Sequence, residues 1–333
     1  MGHWIPEFEA KIEDQVTGLL SRPKEGSTLK NTKEPSAPSE LRYALHLIGK
    51  NYLVLAGTII SIASLLFALF ATLMVNPRIW TQQNLLLRLC WDDFLFHWPI
   101  QNVYACPSNV GFPFGTDAYG RNLLQMIILA IPLDLEVAFA VVVIATGIGL
   151  VLGSIAAFLG GKIDDIIMRV TDVFFTIPSL LLAIILITVF GRTLFFIVIA
   201  MIIPWWPFYV RLTRGQILGE KSKLYVEALQ AMGASKFRIL FRHILPNSIY
   251  PILVNATLDI GSVILVFSGL TFLGFSPNPL LPELGNLVNS GIEYVFTAPW
   301  LIIFPGLTIF IISIGFNLLG DGIRDVLDPR LRR

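Results

Sequence analysis

Six long apolar runs divide the chain: Tyr52 to Val75, Val137 to Leu159, Phe174 to Phe190, Leu194 to Val210, Ile249 to Phe275 and Trp300 to Leu319. Each approaches or exceeds the roughly 20 residues that a helix needs to cross a bilayer core. The pattern predicts an all-α polytopic membrane protein with six transmembrane helices. Gly191-Arg192-Thr193 joins the third and fourth runs as a tight hairpin, and Pro178, Pro204 and Pro207 predict kinks. Gly149 and Gly153 have the small-xxx-small spacing that lets two helices approach closely.

The stretches between the runs differ in kind. Residues 1–50 form a polar N-terminal extension: Ile5, Phe8, Ile12, Val16 and Leu19 approximate one helical stripe, and Ser21 to Ser39 reads as a linker rich in Pro, Ser, Lys and Glu. A membrane-surface or docking role for that helix and a marginal helix without one both fit the pattern. No cleavable signal with a basic start and a short apolar core is expected there. Residues 51–76 hold the first span and 77–113 a loop broken by Pro99, Pro107 and Pro113; residues 114–333 hold the other five spans. Asp117 can cap a helix from Ala118 to Pro132, lying at the membrane surface ahead of the second span. Gly160-Gly161-Lys162 is a turn and not a phosphate loop, since Ile163 stands where Ser or Thr is required.

Of 333 residues, 55% are hydrophobic and 14% charged, with a net charge of +1, so neither a soluble domain nor a nucleic-acid binder is indicated. Lys and Arg concentrate in residues 1–50, in the 160–172 connection, between Arg211 and Arg242 and in the tail. The 277–299 link has none. Positive loops stay inside, so both termini and the 211–242 region are expected in the cytosol. Cys90 and Cys106 then share an external loop, where a disulfide closing about 15 residues would contribute about 3 kcal/mol. Free thiols remain an alternative, and zinc ligation with His97 would leave a tetrahedral site incomplete. The four histidines are scattered and no Walker A loop or Ser-His-Asp cluster occurs, so no catalytic residue and no metal site is expected.

The most informative polar stretch is 220–247. Gly233 follows a run of helix formers and suits the left-handed residue that ends a helix. Ser235 can cap a second helix, in which Phe237, Leu240, Phe241 and Ile244 share one face, and Pro246 is expected to end it. Glu227-Ala228, a glycine six positions after the acid and Leu245-Pro246 beyond it resemble the cytoplasmic coupling motif of ABC importer permeases. Tyr225-Val226-Glu227-Ala228 and Arg242-His243-Ile244-Leu245-Pro246-Asn247 resemble the oligopeptide and dipeptide branch. Leu229 departs from it, standing where a third small residue is usual. Phe114-Gly115-Thr116-Asp117 with Gly120-Arg121, and the tail from Phe316-Asn317-Leu318-Leu319-Gly320-Asp321-Gly322 to Asp325, Asp328, Pro329 and Arg330, are similar to the same family, so the likeness spans about residues 112 to 332.

The resemblance implies a transmembrane subunit of an ATP-driven importer for a small solute, peptides above all, working by alternating access in the cell membrane. It implies a second permease subunit in a heterodimer, two ATP-binding subunits, an external solute-binding protein that Asp117 and its neighbours could contact, and ATP and Mg held by the partners alone. Glu227, Ala228, Leu229, Met232, Gly233, Ala234 and Ser235 would dock an ATP-binding subunit. Oligosaccharides and metal chelates are alternative cargoes, and a secondary transporter is the rival class. Asp134 and Glu136 replace the family's more basic pattern after Pro132, and they are expected at an outer mouth, at a subunit interface or at the aqueous boundary. Asn255 and Asp259 are further pathway candidates.

Overall fold

The computed structural model describes residues 51–74, 113–117, 121–278 and 281–327. The amphipathic stripe, both cysteines, His97 and the tail from Asp328 onward lie outside them. Among the described residues the structure is helical apart from one isolated bridge between Thr116 and Asn122.

The helices are α1 Tyr52–Met74, α2 Leu123–Leu159, α3 Gly161–Phe175, α4 Ser179–Phe190, α5 Leu194–Lys221, α6 Leu224–Ala231, α7 Lys236–Ile239, α8 Leu245–Leu270, α9 Leu284–Gly291 and α10 Trp300–Leu327. Five helical segments are long and apolar enough to cross a membrane, or six if α3 and α4 together make one broken span.

Three departures from the sequence pattern have physical causes. The expected surface helix and second span are one helix of 37 residues, α2, with Pro132 inside it. A proline removes one backbone donor, and packing against neighbouring helices makes that loss tolerable. The cap is Asn122, whose Oδ1 accepts from Leu124 N–H at 3.1 Å, because Asp117 is engaged by Arg121 through Nε at 2.6 Å and through its backbone N–H at 2.8 Å. Pro178, in contrast, does break a helix: α3 and α4 meet at 86°. Alone, the 12 residues of α4 extend about 18 Å, short of the bilayer core. Finally, the 277–299 link contains α9, buried against its neighbours on one side through Leu284, Gly285, Leu287 and Gly291.

The main core runs along α2, α5, α8 and α10 and includes Val141, Ile197, Met201, Ile264, Phe267 and Phe316. Its tightest seam is between α2 and α5. A Cβ added at Gly149 would stand 2.2 Å from Tyr209 Cβ, and one at Gly153 would stand 2.6 Å from the Val210 carbonyl oxygen. The glycine spacing is therefore a packing device, as expected. Elsewhere Ser313 Oγ donates to the Gly261 carbonyl at 2.5 Å, joining α10 to α8. Such interhelical bonds average about 0.6 kcal/mol, so close packing is the larger contributor.

Gly149→Leu forces Tyr209 and its backbone away, and overpacking of this kind costs about 1–3 kcal/mol or more. The thermal unfolding midpoint of the purified protein should drop sharply. Gly147→Leu, one turn-face away with open space around it, should change it little.

Candidate functional site

The 220–247 stretch folds as a braced unit at one end of α2 and α5. Helix α6 closes with a left-handed Gly233 at φ 78°, where Ala234 N–H donates to the Leu229 carbonyl at 3.1 Å and Gly233 N–H to the Gln230 carbonyl at 3.0 Å. This double bond pattern satisfies carbonyls that a helix end otherwise leaves open. Ser235 Oγ accepts from Arg238 N–H at 3.4 Å and caps α7.

The second helix does not stop at Pro246. A wider turn with i→i+5 bonds, Leu240–Ile244, joins α7 to α8, and Pro246 falls in the first turn of α8, where its missing N–H costs nothing. The expected apolar face splits, because the buried side is turned toward Ile239. Leu240 and Ile244 are 4% exposed, whereas Phe237 and Phe241 are 66% and 60% exposed. The buried set forms a small core of Ala157, Ile217, Val226, Ile239, Leu240 and Ile244, which fixes the unit to α2 and α5. Lys221 Nζ reaches the Ala157 carbonyl at 3.4 Å, and Tyr225 donates to Glu220 Oε2 at 3.0 Å.

Of the seven docking candidates, Glu227, Ala228, Met232, Gly233 and Ser235 are exposed, while Leu229 and Ala234 are half-buried. Leu229, the departure from a small residue, packs inward against the Val226 core. It braces the helix. The outward face therefore carries Leu224, Met232, Phe237 and Phe241, large apolar side chains beside an exposed acid. Next to it, Arg214 grips Asp164 with two bonds of 2.5 and 2.6 Å, and Arg211 pairs with Asp172 while lying 4.3 Å over the Phe175 ring. These contacts tie α3 to α5. The sequence shows the charges, but not that they pair across 39 and 50 residues.

The candidate pathway residues do not converge. Asp134 is 1% exposed, with Oδ2 accepting from Leu284 N–H at 3.3 Å, whereas Glu136 lies on the other side of α2 and is exposed. Asp134 is thus enclosed by the chain's own helices, and Glu136 is not. Asn255 donates to the Pro251 carbonyl at 2.7 Å instead of meeting Asp259. Asp259 takes the Tyr209 hydroxyl at 2.6 Å, with Trp205 also in hydrogen-bonding reach. Tyr209 and Trp205 stand four positions apart on α5, one helical turn, and that spacing is the signal in sequence that both can reach one group. Among the described residues no three metal-ligating side chains gather.

Residues 149–333 match the family described as binding-protein-dependent transport system inner membrane component. The chain belongs to that family. This permease is 35% identical over 310 residues to the dipeptide transport system permease of Alkalihalophilus pseudofirmus, covering 90% of this chain and 96% of that one. It is 36% identical over 283 residues to the oligopeptide transport system permease of Bacillus subtilis, covering 85% and 87%. A probable D,D-dipeptide transport system permease of Escherichia coli is 42% identical over 224 residues, covering 67% and 75%. Among solved structures, a chain of the MetNI methionine ABC transporter aligns with a TM-score of 0.49 at 19% identity, over 62% of this permease and 98% of that chain.

Leu240→Ala removes a buried anchor of the 220–247 unit, at about 2–5 kcal/mol. Trypsin should then cut faster after Lys236 and Arg238 in the folded permease. Phe241→Ala, which removes an exposed ring, should leave the cleavage rate as it is.

Proposed function

We propose that this permease is one of two transmembrane subunits, the other a different chain, of an importer that moves peptides inward at the expense of ATP hydrolysed by separate subunits. Dipeptide and oligopeptide permeases among its relatives support the cargo class. The single observation that carries the mechanism is the exposed face of Glu227, Met232, Gly233, Phe237 and Phe241 on a unit whose opposite side is locked into α2 and α5.

Such a face is built to receive force. A partner that grips the exposed side moves Val226, Leu240 and Ile244 with it, and these are packed against Ile217 of α5 and Ala157 of α2. Because the cores of α2 and α5 are in contact through Gly149 and Gly153, the two helices move together. ATP-driven closure of the partners would then rock the spans between outward and inward access. ATP and Mg stay with the partners, and a solute-binding protein outside the membrane delivers the cargo. Selectivity rests largely with that protein, and Glu136, exposed on α2, is a candidate contact for the second permease subunit.

Gly233→Val puts a β-branched residue at a φ of 78°, at a cost of about 1–3 kcal/mol of local strain. In proteoliposomes the variant complex should assemble yet lose most of the ATPase stimulation given by loaded binding protein; full stimulation would contradict the docking assignment. For the topology, impermeant thiol reagents on intact cells should label Asn289→Cys and spare Ser235→Cys, in a background without the native cysteines. Labelling at position 235 would reverse the orientation.

A further inference from the structure

Two buried carboxyl groups, those of Asp134 and Glu283, lie near one another inside this permease. Helix α9 sits hard against the end of α8, since a Cβ at Gly285 would stand 2.0 Å from the Ser268 carbonyl oxygen and 2.2 Å from Thr271 Oγ1. That seat presses the residues just before it into the core: Glu283 and Leu284 are both 0% exposed. Leu284 N–H donates to Asp134 Oδ2 at 3.3 Å, which brings the Asp134 carboxyl beside the residue that precedes Leu284. Asp134 Oδ1 and both Glu283 carboxyl oxygens have no hydrogen-bond partner and no access to solvent.

The charged and polar groups around them are otherwise engaged. Arg192 donates to the Gly274 carbonyl at 2.9 Å and lies 5.2 Å over the Phe275 ring. Arg121 is bound to Asp117. Ser276, whose hydroxyl lies near Glu283, donates instead to the Asn278 carbonyl at 3.0 Å. Glu136 and Glu293 are exposed, Asp259 of α8 is held by Tyr209, and Asp321, Arg324 and Asp325 belong to the far end of α10.

Neighbouring carboxylates in an interior cannot both be ionised, and a proton held between them supplies the donor that the orphaned oxygens lack. We propose that Asp134 and Glu283 form a buried proton-binding site, in which one shared proton clasps α9 to α2. The clasp joins the 277–299 link to the span that also carries the platform for the 220–247 unit. Loss of the proton sets two unscreened charges against each other and favours withdrawal of α9 from α2.

Burial pushes the Glu283 carboxyl up from 4.5 to about 7, against the opposing pull of the Ser276 hydroxyl. The folded permease therefore holds the Glu283 proton more tightly than the unfolded chain does. Its contribution is complete below about 4.5, declines as the pH rises from there, and is gone above about 7.

The test uses the intact transporter in nanodiscs, followed by infrared difference spectroscopy from pH 5 to 9 and by thermal unfolding over the same range. Wild type should show a protonated-carboxyl carbonyl band that weakens in a step near pH 7. Glu283→Gln should remove that step, and Asp134→Asn should move it down by about one pH unit or more, since an amide N–H can then donate to the Glu283 carboxylate. The double variant should lose the band, and its unfolding midpoint should stay level where that of wild type falls between pH 5 and 7.5. Absence of the band in wild type, or single variants that titrate where wild type does, overturns the site. A midpoint that follows sodium or potassium chloride but not choline chloride, with no band, overturns it in favour of a metal cation.

Discussion

The close approach of α2 to α5 is the contact on which the rest of this permease depends. At Gly149 and Gly153 the backbones are near enough that any side chain on α2 would strike α5. Lipid offers helices no hydrophobic reward for associating, so such packing must hold the bundle. It also makes the two helices a single mechanical body. At one end, Ala157 and Ile217 form the floor beneath the 220–247 unit. Toward the other end of the same helix, Asp134 meets the start of α9. The 23 residues between Asp134 and Ala157 span about 35 Å of continuous helix, so a shift at either end is carried to the other without an intervening loop.

The sequence shows where helices are but not how prolines behave within them. Three prolines make the point. Pro132 and Pro246 were expected to close helices; both are absorbed, the first inside a span supported by its neighbours and the second in the first turn of α8, where no donor is needed. Pro178 breaks its helix outright, with an 86° bend between α3 and α4. Only the surroundings distinguish these cases. The capping of α2 is similar, because Asp117 and Asn122 are both good caps and the choice turns on Arg121 engaging Asp117.

For the candidate site, local signals were legible and remote ones were not. Gly233 and Ser235 act as their residue types suggest, since helix ends depend on a few adjacent groups. The single apolar face over Phe237 to Ile244 was misleading, because burial follows Ile239, Leu240 and Ile244, a side turned from the one that the aromatic spacing marks. That offset leaves Phe237 and Phe241 outside while Leu240 and Ile244 anchor the unit. Glu283 could not be recognised at all from its neighbours in sequence. Its burial comes from α9 docking through Gly285, and its companion is 149 positions earlier in the chain.

The most direct measurement of the force-receiving role is photo-crosslinking in the assembled transporter, with a photoreactive residue at Met232 and, separately, at Phe296, both largely exposed in the isolated chain. Capture of an ATP-binding subunit is expected from position 232 and none from position 296, with the yield at 232 changing when ATP is bound. Capture from position 296, or an assembled transporter in which position 232 meets no ATP-binding subunit, would contradict it.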